Sequence, residues 1–379
     1  MPREILARTL WSDGTIRRSR LTLEGDRIAA LEEAPPRANG AADLLALPGI
    51  VDLHGDAFER QLMPRPGVHF PPVPALIETD RQMLANGITT AYHGLTLSWE
   101  PGLRGAEASR SFLAALEAAR PHLGCTTRLH LRFEAFNLDM VDEVISWIAS
   151  GRVDLLAFNE HTGDIANHVA AGKIGSYLGR TKLGEAEFVA LLERVRARRD
   201  EVPAAMARLA AAAEAAGLPI ASHDDNSLED RVRFRALGCR ICEFPVDRAT
   251  ARNGIDAGDA IVLGAPNVVR GGSHAKRLGA AEAAGEGLCT VLTSDYYYPT
   301  LLHAPFILAR QGKLPFGEAW DLVSKNAAAS VGLTDRGVIA PGRRADLLLV
   351  DDRDETLPMV RATIVEGRLR FASGSPVPV

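Results

Sequence analysis

Short apolar runs alternate with longer stretches of helical period through most of the chain. Eight runs, at residues 49–54, 87–95, 127–134, 153–159, 218–223, 239–244, 260–264 and 288–294, read as strands. Most intervals between them have apolar positions three and four apart, as in 76–86, 109–120, 185–217 and 316–331, and predict helices. This alternation is the signature of βαβ units and a parallel sheet. Eight parallel strands predict an α/β protein closed into a (β/α)8 barrel of the TIM type. The two ends of the chain read differently. Residues 4–11 and 19–31 are short β-rich pieces broken by Asp13-Gly14 and Gly25-Asp26, and 345–351 and 359–365 repeat the pattern near the other terminus. They predict a small β domain over 1–48 and 338–379 beside a barrel over 49–337. The stretch 162–184 has five glycines and is too long for a simple connection, so it is expected to be an insertion over the barrel mouth.

Composition narrows the partners. The 379 residues hold 43 Lys and Arg against 48 Asp and Glu, a net charge of −5, which argues against nucleic acid as a partner. The longest apolar stretch, 204–221, is Ala-rich and interrupted by Arg208 and Glu214, so it predicts a helix of a globular protein and no membrane span. The first residues lack a secretory pattern, and four cysteines are too few for a disulfide scaffold, so a cytoplasmic protein is expected. Cys239-Arg240-Ile241-Cys242 has no second pair to complete a zinc ribbon and reads as strand. Barrels of this size often associate, so a homo-oligomer is an expected state whose size no motif fixes.

The chemistry-bearing residues gather at the ends of the predicted strands, where barrels of this kind place catalytic groups. His54 and Asp56 end the first run, two apart on an extended chain and hence on one face. Glu134 closes the third run, His161 follows the fourth, His223 closes the fifth and Asp295 follows the eighth. Three imidazoles and three carboxylates on one rim are a ligand set for Zn2+, Mn2+ or Fe2+, and more than one tetrahedral ion requires. Two divalent ions are therefore expected, bridged by Glu134 at about 3.5–4 Å with an activated water between them and Asp295 accepting its proton. His130 and Arg132 share parity with Glu134 and are expected either to support it or to fill the barrel interior.

Two segments extend this reading. Leu47-Pro48-Gly49-Ile50-Val51-Asp52-Leu53-His54 and Gly337-Val338-Ile339-Ala340-Pro341-Gly342-Arg343-Arg344-Ala345-Asp346-Leu347 resemble the opening and closing signatures of the amidohydrolase superfamily. The resemblance implies a metal-bearing distorted barrel beside a small β-sandwich built from both termini. It also implies that His54, Asp56, Glu134, His161, His223 and Asp295 stand at ligand positions, with Asp56 in place of the usual second His and Glu134 in place of the usual carboxylated Lys. Within that superfamily, Pro64-Arg65-Pro66-Gly67-Val68, Ala221-Ser222-His223-Asp224-Asp225, Glu243-Phe244-Pro245, residues 264–274 and Ser294-Asp295-Tyr296 resemble the triphosphate diphosphatase family of the carbon–phosphorus lyase (phosphonate) pathway. That likeness implies hydrolysis of a small phosphorylated substrate, a triphosphate, to a monophosphate and pyrophosphate.

A triphosphate needs cations and backbone donors as well as metals. Arg65, Arg270 and Lys276 are candidates for the charge, and Asn267 lies in the same loop. Gly271-Gly272-Ser273 removes side-chain bulk so that backbone N–H groups can reach phosphate oxygens, and His274 is a candidate acid for the leaving group. The segment after His161, Thr162-Gly163-Asp164-Ile165-Ala166-Asn167-His168, departs from the family pattern, as do Tyr92-His93-Gly94 and Tyr296-Tyr297-Tyr298-Pro299. These departures keep open hydrolysis of a cyclic amide, an N-acyl group or an aminopurine, and a non-catalytic binding barrel stands behind both.

Overall fold

Two sheets organise the chain. The computed structural model describes residues 3–35, 43–65, 67–272 and 278–374. Strands β1 (Arg3–Leu10), β2 (Ile16–Glu24), β3 (Arg27–Glu33) and β4 (Leu45–Pro48) come first. They are followed by β5 (Ile50–Gly55), β6 (Ile88–Leu97), β7 (Thr126–Glu134), β8 (Leu155–Asn159), β9 (Ile220–His223), β10 (Ile241–Glu243), β11 (Ala260–Gly264) and β12 (Val291–Thr293). The last three are β13 (Leu347–Asp351), β14 (Met359–Val365) and β15 (Arg368–Ala372).

β5 to β12 lie side by side in chain order, each parallel to the next, and they are the eight apolar runs expected from sequence. A parallel bridge between Gly55 and Asp295 brings the first strand to the last, so the sheet is a nearly closed barrel. Its interior holds Val51, Leu53, Tyr92, Leu155, Val262 and Val291, all buried. Such near-continuous apolar strands are what a parallel sheet covered on both faces demands.

The remaining seven strands form a second sheet from both termini, in the order β15-β14-β13-β4-β1-β2-β3. One of its faces buries Ile5, Leu21, Ile28, Ala46, Leu347 and Ile364 together. The other presents Leu45, Leu47, Leu348, Val350 and Val360 to the barrel residues Met83, Leu84 and Trp320. The indole N–H of Trp320 donates to Pro48 O (3.1 Å) and the Thr363 hydroxyl to Leu84 O (2.7 Å), so the junction is hydrogen-bonded as well as apolar. A Cβ at Gly87 would stand 2.6 Å from Leu348 Cδ1, so only glycine allows this approach.

The helices correct two sequence expectations in detail: 316–331 is two short helices, Phe316–Asp321 and Lys325–Ser330, and 185–217 is divided as well. The stretch 185–217 is two helices, Glu185–Ala197 and Val202–Ala215, joined by the 3-10 turn Arg199–Glu201. Pro203 lacks an N–H and suits only the first turn of a helix, so it starts the second helix instead of lying inside one. The segment after His161 folds into helices Thr162–Ala170 and Gly175–Thr181, which bury Ile165, Ile174 and Tyr177 against Phe188 and Leu192 of the next helix. Among the described residues, no helix is long and apolar enough to cross a membrane.

The seam between β5 and β12 has few ladder hydrogen bonds, and Asp52 makes up for them. Its Oδ1 accepts from the Thr293 hydroxyl (2.6 Å) and Ser294 N (3.0 Å), and its Oδ2 from the Ser294 hydroxyl (2.6 Å). A Cβ on Gly55 would lie 2.8 Å from Asp52 Oδ2, so glycine there makes room for the clasp. Asp52→Ala leaves the Ser294 amide and hydroxyl unpaired at about 1–3 kcal/mol each, while the Thr293 hydroxyl keeps His54 O (2.6 Å), so a stability loss of at least about 2 kcal/mol is expected in a denaturant titration. An unchanged midpoint would show that the seam is held elsewhere.

Candidate functional site

Three strands of the barrel end in the same unusual turn. Asp224 after β9, Phe244 after β10 and Asp295 after β12 have φ of 58°, 54° and 54°, the left-handed region that non-glycine residues rarely enter. Each turns its amide onto another strand: Asp224 N donates to Glu243 O (2.8 Å), Phe244 N to Val262 O (2.9 Å) and Asp295 N to His54 O (2.9 Å). Backbone strain of about 1–3 kcal/mol per residue is held by these contacts, and it concentrates at the rim where the sequence places its chemistry.

Glu243, fully buried at the end of β10, organises the rim. Its Oε2 lies 3.0 Å from His54 Nδ1 and 3.2 Å from His223 Nδ1. A carboxylate only accepts, so both imidazoles hold their proton on Nδ1 and keep a lone pair on Nε2, as metal-binding histidines do. The two rings stack at 5.2 Å with 16° between planes. His130 donates from Nδ1 to Leu53 O (3.0 Å) and brings Nε2 to 3.7 Å from Glu243 Oε2. Burial holds His130 and His223 neutral, pushing each down to about 3, with Arg132 adding to the effect on His223.

His161 starts the helix Thr162–Ala170 and stands edge-on to His223 at 5.6 Å. Its Nδ1 is 3.7 Å from Glu134 Oε2 and its Nε2 3.6 Å from Asp224 Oδ2. Glu134, buried at the end of β7, accepts from His161 N (3.1 Å), Thr162 N (3.3 Å) and the Thr162 hydroxyl (2.8 Å), which fixes it at the first turn of that helix.

Asp56 and Asp295 meet across the seam, where Asp56 N donates to Asp295 O (2.9 Å). Burial and the Asp56 charge push the Asp295 carboxyl up to about 7, and burial with the nearby Glu59 pushes Asp56 up to about 6. Between these carboxylates and the imidazoles lies Arg132, whose Nη2 is 2.8 Å from His223 Nε2 and Nη1 3.5 Å from Asp56 Oδ2.

The donor set suits a divalent ion. His54, His130 and Glu243 bring ligand atoms within 4.8 Å of one another, and so do His161, His223 and Asp224. His130 Nε2 and Glu243 Oε1 are buried without a hydrogen-bond partner. Mixed imidazole and carboxylate donors with unsatisfied buried atoms match Zn2+, Mn2+ or Fe2+.

All six residues singled out as ligands from sequence stand on this rim. Sequence reasoning missed Glu243 and Asp224, which it noted only as letters of longer motifs. Their signal was position, since both stand at or one past the end of a strand in the same register as His223. The expected phosphate contacts are placed less closely. Arg65 is exposed on a turn bridged to Val68. Asn267 and Arg270 lie on a short helix, Ala265–Arg270, that intervenes between β11 and Gly271-Gly272, so the glycines sit a helix beyond the strand end. Arg270 is exposed and donates to the Tyr296 hydroxyl (3.3 Å). Ser273, His274 and Lys276 lie outside the described residues. His93 packs against Phe58 and Phe112 in the apolar shell.

Two cavities of about 220 Å³ open beside His161. The arginines that line them are engaged by carboxylates: Arg233 with Glu160 (2.7 Å), Arg104 with Glu59 (3.0 Å) and Arg180 with Glu100 (2.6 Å).

Known proteins resemble this chain. The family model of the amidohydrolase family matches residues 296–371. The chain is 31% identical over 350 residues to the alpha-D-ribose 1-methylphosphonate 5-triphosphate diphosphatase of Escherichia coli (strain K12), covering 88% of this chain and 91% of that protein. It is 28% identical to an adenine deaminase of Methylobacterium nodulans over 82% of this chain but only 48% of the deaminase. The N-isopropylammelide isopropylaminohydrolase of Burkholderia multivorans has the same fold, with a TM-score of 0.64, 19% identity and coverage of 97% of this chain and 98% of that one.

Glu243→Gln can no longer accept from both imidazoles with one charged group. Loss of such an orienting carboxylate is expected to weaken divalent-ion affinity by about 10–100-fold, measured by competition with a chromogenic chelator. Unchanged affinity would remove Glu243 from the site.

Proposed function

The chain belongs to the amidohydrolase superfamily, and from that premise we propose that it hydrolyses the 5-triphosphate of α-D-ribose 1-methylphosphonate to the 5-phosphate and pyrophosphate. The observation behind this reading is the 31% identity to a diphosphatase of that substrate, running along 91% of that protein. In this reading the ligands of the divalent metal are drawn from His54, Asp56, Glu134, His161, His223 and Asp295, with Asp224 beside them. The ion supplies Lewis acidity toward phosphoryl oxygens and lowers the pKa of water from 15.7 to about 7.

The chain's own groups do the rest. Glu243 keeps His54 and His223 in one tautomer, which leaves the Nε2 lone pair of His54 facing away from the carboxylate. Asp295 takes the proton lost by the attacking water, from a position fixed by its bonds to His54 and Asp56. The P–O–P bond between the first and second phosphates breaks, and His274 returns a proton to the leaving oxygen. Arg65, Asn267, Arg270, the segment Gly271-Gly272-Ser273 and Lys276 contact the triphosphate in this scheme, and Arg132 neutralises charge at the rim itself.

A second reading keeps the metal and changes the bond to a cyclic amide, an N-acyl group or the amine of a purine. The pairing of Arg104, Arg180 and Arg233 with carboxylates favours it, because cavities so compensated attract a dianionic phosphate weakly.

Purified enzyme with Mn2+ or Zn2+ is expected to release pyrophosphate from the ribose triphosphate, to lose the activity in chelator and to regain it with metal. His161→Ala is expected to lower kcat/KM by more than about 100-fold, beyond the effect of an orienting residue. Ammonia from adenine with no pyrophosphate from the triphosphate would select the second reading.

A further inference from the structure

Arg132 is out of keeping with a site for two cations. It comes from the interior of the sheet, where β7 pairs on one side with β6 at Thr96 and on the other with β8 at Ala157, so its backbone has no freedom to withdraw. Its side chain is 8% exposed and points among imidazoles and carboxylates. The aliphatic part of the side chain passes over Gly94, where a Cβ would stand in ordinary contact with Arg132 Cδ at 3.4 Å.

We infer that the Arg132 guanidinium takes the place of a second metal ion, so that each chain holds one divalent ion at this rim. The inference rests on the reading that the rim binds metal, and it fixes how many ions it binds. His223 has one lone pair to offer. Its Nδ1–H is committed to Glu243 (3.2 Å), and its Nε2 accepts from Arg132 (2.8 Å). An ion would bond that same lone pair at about 2.0–2.1 Å, so ion and guanidinium exclude each other there. The guanidinium cannot yield by losing its proton, because arginine stays charged in proteins. It also lies 3.5 Å from Asp56 Oδ2, taking up the charge of a second expected ligand. Drawing it away from both partners would leave a buried charge uncompensated. His54, His130 and Glu243 remain as a group whose ligand atoms lie within 4.8 Å of one another, enough donors for one ion.

The test counts ions. Wild-type protein, stripped and reloaded by equilibrium dialysis against Mn2+ or Zn2+, is expected by elemental analysis to hold one ion per chain. Arg132→Met is expected to hold two, and Arg132→Lys, which keeps the charge, to hold one. Circular dichroism and gel filtration confirm that each variant is folded. Two ions in the wild type overturn the inference and leave the metal reading intact, as does a folded Arg132→Met protein that still holds one. No ion in any of the three overturns the metal reading and this inference with it.

Discussion

Asp52 reaches from the first barrel strand to the last and accepts three hydrogen bonds from Thr293 and Ser294. The rim depends on that clasp, because His54 and Asp56 stand on one side of the seam and Asp295 on the other. The remaining strand neighbours are held by parallel ladders, irregular only between β5 and β6, whereas here pairing shrinks to one bridge. A buried carboxylate with its acceptors filled does what an edge of main chain would otherwise do. Burial raises the pKa of this carboxyl, so the donors around it are what keep it an acceptor.

Charge at the rim is arranged in alternating layers. Glu243 stands behind His54 and His223, Arg132 in front of His223, and Asp56 and Asp295 beyond Arg132. Each layer conditions the next. The carboxylate behind sets the tautomer of the rings, the rings offer lone pairs forward, and the cation in front answers both a lone pair and a carboxylate. No layer keeps its character if its neighbour changes sign, and this binds residues from five strands into one electrostatic unit.

Much of this was legible in the sequence because strand ends are. An apolar run that stops at His, Asp or Glu announces a polar group at the barrel mouth, and His54, Asp56, Glu134, His161, His223 and Asp295 all follow that rule. Glu243 was harder, since Ile241-Cys242-Glu243 is a three-residue strand flanked by Phe244, and nothing local says that its carboxylate faces two imidazoles. That fact arises from the stagger of β9 against β10, which pairs Glu243 with His223. Arg132 defeated local reading for a related reason. Its parity with Glu134 was plain, but the distance to His223 depends on two strands that lie between them in sequence by about ninety residues. The split of 185–217 into two helices is written in Pro203, but the apolar period runs on across it and masks the break.

The left-handed corners at Asp224, Phe244 and Asp295 restrict the site in a way that has nothing to do with ligands. Aspartate tolerates that conformation better than most side chains, and branched residues tolerate it worst. If the rim holds metal as proposed, substitution is filtered twice at Asp224 and Asp295, once for an oxygen donor and once for a side chain that leaves its own main chain room to bend backward. Glutamate, acceptable to an ion, meets resistance from the corner itself. The choice of side chains open to these two corners is thereby narrowed by torsion angles before any coordination bond is drawn.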